Sequence, residues 1–345
     1  MNPHRIATHA LVLLLVLAAG GCDALDVLSG EEEGRPQGLF PVLTEGRWGF
    51  INQDGRIMVT PKFDEAQDFS DGMAAVRLGT AWGYVDASGS TVIAPQFGTA
   101  GPFKDGLAPV RGTAFDAPYG YVDRSGALVI PANFERALPF SEGLAAVRTG
   151  GQWGFVNTRG EYAIDPRYAD VRSFSDGLAA VEGPDGWIYI DRSGTVVVNP
   201  SFAIELAGDF VDGLAPFATS EGWGYFNKQG EPVVAPRFDA AEAFSQDRAI
   251  VRDGDLYGFI DRSGKLVIPA QFRGARPFSE GLAAIRLNNR WTFINRSDGR
   301  VVVNREFSQV EPFRGGLARV YFEQGEGYRI GYIDTDGEYV WYPTY

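Results

Sequence analysis

The sequence predicts an all-β fold of about nine tandem units, each a three-stranded meander. Two observations support this prediction. A Gly-Leu-Ala-x-Val segment recurs about every 34 residues, and such a period is typical of repeat proteins whose units stack on one another. Each unit also contains three short apolar runs separated by turn residues. The units start at Gly38, Gly72, Gly106, Gly143, Gly177, Gly213, Asp247, Gly281 and Gly316.

The unit that starts at Gly143 illustrates the first two strands. Residues 143–147 read GLAAV, and residues 153–157 read WGFVN. Short runs of β-branched and aromatic residues bounded by glycine favour strands. The glycine beside Trp153 indicates that another backbone segment or an aromatic ring approaches the strand closely there.

The second strand of each unit is followed by Asp or Asn and, three residues later, by Gly. This is the residue preference of a type I turn, and a left-handed Gly completes a hairpin with a bulge. A calcium loop needs several oxygen ligands, whereas each of these segments supplies one, so turns are predicted. The turns are Asn52–Gly55, Asp86–Gly89, Asp123–Gly126, Asn157–Gly160, Asp191–Gly194, Asn227–Gly230, Asp261–Gly264 and Asp334–Gly337.

A third apolar run, such as LVI at 128–130, leads to a proline in most units. Proline cannot donate to a strand ladder, so the strand is predicted to end there. An aromatic, an apolar residue and a Phe then follow at intervals of three, as in Phe134, Ala137 and Phe140. That spacing predicts one or two 3₁₀-like turns between units.

Together, the Trp-Gly pair, the Gly-Leu-Ala segment and the turn motif resemble the bacterial WG-repeat (KWG) family over residues 38–345. The resemblance implies an exported repeat protein and supplies no catalytic residue. Several units depart from the pattern. Tyr119 and Tyr257 replace Trp, Ile188 and Thr292 replace Gly, Ile330 precedes the last Gly, and Asp247-Arg248 replaces Gly-Leu.

The number of units bears on how they are arranged. Nine exceeds the usual four to eight blades of a propeller, which favours an open, curved solenoid. The incomplete first unit and the aromatic tail 339–345 would then cap its ends. The alternative is a closed, propeller-like ring, formed if the two ends complete one another.

Residues 1–21 are predicted to be a signal peptide, with Arg5 before an apolar stretch at 10–19 that is too short to span a membrane. Small residues precede Cys22, the only cysteine, and resemble a bacterial lipobox. This implies acyl chains such as palmitate on Cys22 and a membrane anchor; an ordinary secreted protein is the alternative. The segment 22–37, which is rich in acidic residues, is predicted to form a flexible tether.

The predicted location is therefore the cell envelope. Asp23 directly follows the cysteine, which in some Gram-negative bacteria retains lipoproteins in the inner membrane, facing the periplasm. The outer membrane is the alternative.

Composition excludes several chemistries. Both histidines, His4 and His9, lie in the predicted signal peptide, and Cys22 is assigned to the lipid. Ser-His-Asp and Cys-His catalysis and His- or Cys-ligated zinc are therefore not expected. The net charge of −13 disfavours nucleic acid as a partner. No catalytic residue, cofactor or metal site is predicted.

Two columns of repeated side chains have two interpretations each. The aromatic column could be a ladder for glycan or the core between repeats. The arginine column could bind anions, or its members could pair with carboxylates and pack over aromatic rings. The aromatic column is Trp48, Trp82, Tyr119, Trp153, Trp187, Trp223, Tyr257 and Trp291, and the arginine column is Arg77, Arg111, Arg148, Arg252 and Arg286.

Insertions mark candidate partner contacts, because repeat proteins place them on one face. The link before the aromatic position lengthens at 112–118 and at 322–329, and the fifth unit gains two residues within 203–209. Apolar residues in the two links have no obvious core role. These candidate contacts are Phe115, Pro118, Phe322 and Tyr328.

The sequence therefore predicts a lipid-anchored, non-catalytic repeat scaffold of the bacterial envelope that binds a protein or an envelope polysaccharide. The alternative is a glycan- or peptidoglycan-binding module that uses exposed aromatics. A third hypothesis is a carboxylate-based hydrolase using two of the off-pattern acids Glu182, Glu205 and Glu221.

Overall fold

The computed structural model describes residues 38–324 and 327–342. All of them belong to one compact unit, Gln37–Tyr345. The predicted signal peptide, Cys22 and most of the acidic tether lie outside the described residues. No helix occurs within the described ranges, so none there has the length and hydropathy to cross a membrane.

The described residues form nine small antiparallel sheets, which confirms the all-β repeat. Seven have four strands, and sheets 1 and 8 have three. Sheet 1 contains β1 Phe40–Thr44, β2 Arg47–Ile51 and β3 Ile57–Phe63; sheet 2 contains β4 Glu65–Ala66, β5 Met73–Leu78, β6 Ala81–Asp86 and β7 Thr91–Phe97; and sheet 3 contains β8 Thr99–Ala100, β9 Leu107–Arg111, β10 Tyr119–Asp123 and β11 Leu128–Phe134. Sheet 4 contains β12 Arg136–Ala137, β13 Leu144–Thr149, β14 Gln152–Asn157 and β15 Tyr162–Tyr168; sheet 5 contains β16 Asp170–Val171, β17 Ala179–Gly183, β18 Gly186–Ile190 and β19 Val196–Val198; and sheet 6 contains β20 Leu206–Ala207, β21 Leu214–Thr219, β22 Gly222–Asn227 and β23 Pro232–Phe238. Sheet 7 contains β24 Ala240–Ala241, β25 Ala249–Asp253, β26 Leu256–Ile260 and β27 Leu266–Phe272; sheet 8 contains β28 Gly274–Ala275, β29 Leu282–Leu287 and β30 Arg290–Asn295; and sheet 9 contains β31 Gln309–Val310, β32 Leu317–Gln324, β33 Gly327–Asp334 and β34 Tyr339–Trp341.

The aromatic connector differs from the prediction. Instead of 3₁₀-like turns it contains a two-residue strand, and this strand pairs with the first long strand of the following unit. In sheet 4, Arg136 lies opposite Arg148 and Ala137 opposite Val147. Among the described residues, each of the first eight units therefore contributes a two-residue strand to the sheet of the next unit, because the connector's backbone groups find partners in the next meander rather than within a local turn.

The predicted end of the third strand at proline is also wrong in six units. Pro61, for example, lies within β3, and a register shift between Trp48 and Phe50 on the paired strand accommodates it. The prediction holds at Pro200, since β19 ends at Val198. Proline is tolerated within the other strands because it lies on the edge strand, at a bulge.

The glycine of the Trp-Gly pair explains this difference. A Cβ on Gly154 would lie 2.5 Å from the Ile164 carbonyl oxygen and 2.7 Å from the nitrogen of Pro166, so the third strand crosses directly over the glycine. Where a larger residue replaces this glycine, the third strand is shortened or lost. Ile188 accompanies the three-residue β19, and Thr292 accompanies two isolated bridges in place of a strand. The close approach predicted at this glycine is confirmed.

The Asx-Gly turns are confirmed and have a second role. In the Asp123 turn, Gly126 donates to the Asp123 carbonyl at 2.9 Å, and its φ is +86°. The same glycine lies against Ile93 of the preceding sheet, where a Cβ would be 3.2 Å from the Ile93 side chain. Turn geometry and packing between sheets therefore both require glycine here.

The apolar core lies between successive sheets. In sheet 2, Ala75 packs in a cluster with Phe103 of sheet 3, whereas Ala74 packs with Phe50 of sheet 1. Both faces of the first long strand are therefore buried, which explains its continuous apolar run. Every sheet of the described chain shares such a cluster with the next one.

A ninth cluster joins the last sheet to the first, so the sheets close into a propeller-like ring. It contains Phe40, Val42 and Ile51 of sheet 1 together with Leu317 and Tyr332 of sheet 9. The favoured open solenoid is thereby corrected, and the closed alternative is confirmed. The reason is energetic, since an open array would leave two apolar sheet faces in water.

Polar contacts at the closure repeat those within the ring. The Gln53 amide donates to the Gly315 carbonyl of sheet 9 at 2.6 Å, as Arg124 donates to the Asp71 carbonyl of the preceding sheet at 2.7 Å. A Cβ on Gly55 would collide with the Val340 carbonyl oxygen, so these two backbones touch. The first and last sheets therefore meet as internal neighbours do.

Arg319 of sheet 9 reinforces the closure. It stands where other units have a small or apolar residue, and sheet 1 has no described two-residue strand beside it. Its guanidinium binds Asp68 of sheet 2 and Glu311, with Nη1 3.0 Å from Glu311, and donates from Nε to the Tyr332 hydroxyl at 2.7 Å. Sheets 9 and 2 are therefore linked past sheet 1.

Candidate functional site

The aromatic column is half-buried at every position from Trp48 to Trp291. Each side chain packs on one of the cores between sheets, as Trp153 does on the cluster of Phe155 and Phe174. Part of each ring remains in contact with solvent. The aromatic column therefore serves chiefly to pack the cores between sheets. Because only part of each ring is accessible, the column does not form the continuous exposed ladder that the glycan hypothesis requires.

Three arginines of the arginine column, Arg77, Arg111 and Arg286, pack over these rings. The Arg111 guanidinium lies 5.5 Å from the centroid of the Tyr119 ring, and that of Arg286 lies 6.0 Å from the Trp291 ring. Arg77 additionally forms an ion pair with Glu65. These contacts support the interpretation that the arginines of the column pair with carboxylates and pack over aromatic rings, rather than the interpretation that they bind anions.

The link at 112–118 is an exposed loop. Phe115 is 97% exposed, Pro118 is also exposed, and a bond of 3.2 Å from the Ala117 N–H to the Ala114 carbonyl holds a turn between them. A fully exposed Phe has no stabilising role in the fold, so this loop remains a candidate contact surface.

The link at 322–329 is not a loop in its described part, which corrects the prediction. Strands β32 and β33 extend into it, with Phe322 opposite Arg329 and Glu323 opposite Tyr328. Phe322 is half-buried against Phe307 and Tyr339, so it has a core role. Tyr328 is 47% exposed and is the more accessible of the two candidates.

The ring does not bring these candidates together. Phe115 and Pro118 belong to sheet 3, Phe322 and Tyr328 to sheet 9, and sheets 1 and 2 lie between. They form two separate surfaces.

A recessed surface that sequence reasoning missed lies between sheets 5 and 6. The depression has a volume of about 360 Å³, and we call it the Phe202 depression. It is lined by Phe202, Ala203, Phe217, Thr219, Ser220, Glu221, Pro232 and Pro236.

The departure at Ile188 accounts for this depression. In regular units the aromatic at the end of the third strand lies opposite the Trp of the second, as Phe97 lies opposite Trp82. Because β19 ends at Val198, Phe202 has no such pairing and packs against Phe217 of sheet 6, with ring centroids 5.1 Å apart. The insertion at 203–209 and Ile188 were the sequence signals for this site.

The off-pattern acids are dispersed. Glu221 lines the Phe202 depression, whereas Glu182 lies on β17 opposite Trp187, and Glu205 precedes β20. The described residues also contain no group of three or more Asp, Glu, His or Cys side chains placed to hold a metal ion.

A half-buried acid lies near this region. Asp209 follows β20, 3.6 Å from Arg172 of the preceding sheet, and its Oδ1 has no hydrogen-bond partner among the described residues. Burial raises the pKa of the Asp209 carboxyl, and Arg172 only partly opposes this effect.

The fold defines a ring-shaped protein built from sequence repeats. The chain belongs to the family described as WG containing repeat, whose model matches residues 48–79, 82–111, 119–153, 153–182, 223–257, 257–291 and 291–323. The segment 183–222, outside these matches, contains the departure at Ile188 and most of the residues that line the Phe202 depression.

No curated protein matches the sequence. A solved structure described as a eukaryotic initiation factor is similar in fold, with a TM-score of 0.64, 13% identity, and coverage of 89% of this chain and 95% of that one. For PorZ of Porphyromonas gingivalis, a surface component of the type-IX secretion system, the TM-score is 0.35 and the identity 10%, with coverage of 87% of this chain and 45% of that one. For Hsv2 of Kluyveromyces lactis, the TM-score is 0.40 and the identity 9%, with coverage of 76% of this chain and 94% of that one.

Proposed function

We propose that this protein is a non-catalytic scaffold of the bacterial envelope that binds a protein partner at the Phe202 depression. The observation that carries the proposal is the apolar recess between Phe202, Phe217 and the prolines Pro232 and Pro236. Recesses of this size that are mostly apolar with a few polar groups are typical binding pockets. At protein interfaces, the buried anchor side chains of a partner fill pockets of this kind. Thr219 and Glu221 at its rim supply orienting polar groups.

The lipid anchor is part of the same proposal. Cys22, preceded by small residues and an apolar stretch, carries the acyl chains, and the acidic segment to residue 37 holds the ring away from the bilayer. Asp23 favours the inner membrane. Cys22→Ala should move the protein from the membrane fraction to the soluble exported fraction and abolish incorporation of a labelled fatty acid. Unchanged fractionation and labelling would contradict the anchor.

The binding surface is tested by photocrosslinking in intact cells. A photoreactive residue at Thr219, beside the depression, should give a discrete adduct that is lost in Phe202→Ala. The matched control is Thr149, which ends the equivalent strand of sheet 4. Adducts of equal yield from both positions, or a Thr219 adduct that persists in a folded Phe202→Ala protein, would contradict the proposal.

The half-exposed tryptophans support one rival, a glycan-binding module. If that rival is correct, peptidoglycan fragments should shift or quench the emission of tryptophan and raise the unfolding temperature. Unchanged emission and unfolding temperature are expected from the scaffold. The same samples test the hydrolase hypothesis, because release of fragments from the glycan would identify catalysis.

A further inference from the structure

A second irregular site lies between sheets 7 and 8. Residues 246–248 read Gln-Asp-Arg where sheet 2 has Asp71, Gly72 and Met73. Ser245 and Arg248 still exchange backbone hydrogen bonds of 2.8 and 3.1 Å, as Ser141 and Leu144 do. The hairpin is therefore retained while its side chains change.

The changes replace apolar packing with charge. Leu144 and its equivalents are buried, with 6–8% exposure at Leu107, Leu144, Leu178 and Leu214. Arg248 puts a guanidinium in this position and is half-buried. Gln246 also replaces an acid: its amide oxygen accepts the Gly281 N–H at 2.9 Å, a bond that the Glu280 carboxylate makes to Gly316.

The backbone here is strained. Gln246 and Asp247 both have positive φ, +51° and +59°, whereas in the other units the second of these positions is a glycine. Asp247 is thus a non-glycine residue in the left-handed region, and such residues are found preferentially at functional sites. Asp247 is exposed and does not pack in the core.

These residues line a depression of about 470 Å³, which we call the Arg248 depression. Its lining residues are Asp247, Arg248, Gly281, Asn295, Arg296 and Ser297. Arg248 Nε is buried without a hydrogen-bond partner among the described residues, and Nη1 donates to the Asp247 carbonyl at 2.9 Å. Arg296 Nη1 donates to the Gln246 carbonyl at 2.9 Å and lies 3.8 Å from Asp247.

The charge balance of the Arg248 depression is positive. Arg262 also approaches it, with Nη1 3.6 Å from the Asp247 carboxylate. Two carboxylates face these three guanidiniums, Asp247 and Asp261, and Asp261 Oδ1 is already occupied by Ser263 and the N–H of Lys265. The local charge of the depression is therefore opposite in sign to the net charge of the whole chain, which is −13.

We propose that the Arg248 depression binds an oxyanion, a carboxylate or phosphate group of a ligand, through Arg248 and Arg296. A guanidinium with unused N–H donors matches the oxygen spacing of either group. Asn295 also lines the depression, and its Oδ1 accepts from the Ser297 hydroxyl at 3.0 Å and from the Asp298 N–H at 3.1 Å, which leaves its Nδ2 as the donating group. This site is separate from the Phe202 depression and does not depend on it.

The test measures the unfolding temperature of the protein without its predicted signal peptide, residues 22–345, against inorganic phosphate and against glutarate at constant ionic strength set with chloride. A ligand that binds only the folded state raises this temperature, and the rise grows with the logarithm of the ligand concentration once that concentration exceeds Kd. A larger shift with phosphate or with glutarate identifies the source of the oxyanion.

Arg248→Leu, which restores the residue of the repeat, and Arg296→Gln should each reduce the affinity at least tenfold. The matched control is Arg192→Gln at the equivalent turn of sheet 5, where Arg192 is paired with Glu142 at 2.8 Å; it should bind as the unaltered protein does. No shift beyond the chloride reference, or equal shifts in Arg248→Leu, would overturn the proposal.

Discussion

The Tyr332 hydroxyl donates a hydrogen bond of 2.8 Å to the Pro41 carbonyl, across 291 residues of chain. It resembles the bonds from Tyr84 to Gly101 and from Tyr121 to Leu138, which join neighbouring sheets inside the ring. Burial raises the pKa of the Tyr332 hydroxyl, so it remains a donor at physiological pH. The first and last sheets are thus bonded as sequential neighbours are.

Ring closure predicts that Tyr332→Phe destabilises the protein at least as much as Tyr84→Phe. Each removes a buried hydrogen bond to a carbonyl and leaves that carbonyl without its donor, so each should lower the free energy of unfolding by about 1–3 kcal/mol. Tyr332→Phe also removes the hydroxyl that accepts a hydrogen bond from Arg319 Nε. Urea denaturation followed by circular dichroism measures both. A large effect of Tyr84→Phe with none for Tyr332→Phe would indicate that the ends separate in solution.

Small-angle scattering from the same samples should fit a compact ring, and an elongated profile would likewise indicate separated ends.

The glycine of the Trp-Gly pair should not tolerate alanine. In Gly224→Ala the new Cβ would collide with the Val234 carbonyl oxygen and lie 2.9 Å from the nitrogen of Pro236, so the third strand must move, at a cost of about 1–3 kcal/mol. The matched control is Gly183→Ala, whose Cβ would be 3.8 Å from its nearest neighbour. Thermal unfolding should separate the two variants by several degrees. Equal stabilities would refute the close approach.

The Asx turns predict a dependence of stability on acid. The Ser125 hydroxyl, followed by backbone N–H groups, lowers the pKa of Asp123 below its ordinary 3.8. Because this pKa is lower in the folded protein, the stabilisation is present above about pH 4 and is lost as the pH falls through the folded-state pKa. Asp123→Asn should remove that part of the acid dependence with little change at pH 7. Identical pH profiles of the unfolding midpoint in the parent protein and in Asp123→Asn would argue against this.

Asp209 should show the opposite sign. Its pKa is raised by burial, so the ionised carboxylate destabilises the folded protein at neutral pH, and the penalty disappears as the pH falls below the ordinary value of 3.8. Asp209→Asn is therefore expected to raise the unfolding temperature at pH 7 and to match the parent protein near pH 3. The exposed Asp185→Asn serves as control. Destabilisation by Asp209→Asn at pH 7 would mean that its attraction to Arg172 exceeds the cost of burial.

The strands and turns of the regular units were predictable because local patterns specify them. The Trp153-Gly154 run, the GLAAV run before it and the Asn157–Gly160 turn each form the element that their residues favour. The two-residue strand at Arg136–Ala137 was not predictable from the same patterns. Its hydrogen-bond partner belongs to the next unit. The residue pattern of such a short segment is the same whether its backbone forms a local turn or pairs with another strand.

The candidate sites divide in the same way. Phe115 was recognised because an aromatic residue in a lengthened link stands out, and it is exposed. Phe322 stood out equally, yet it packs on Phe307 and Tyr339, which the spacing could not indicate. The Phe202 and Arg248 depressions depend on substitutions at Ile188 and Arg248 whose effects appear only against a neighbouring sheet.

The sequence alone determined the period, the all-β class and the turns. These follow from residue types and short-range geometry. Only the tertiary structure decided that nine units close into a ring. Closure depends on the angle between successive sheets, which is set by how side chains such as that of Ile93 fit against residues such as Gly126 across each interface. A small change in that angle, repeated nine times, would separate Tyr332 from Pro41.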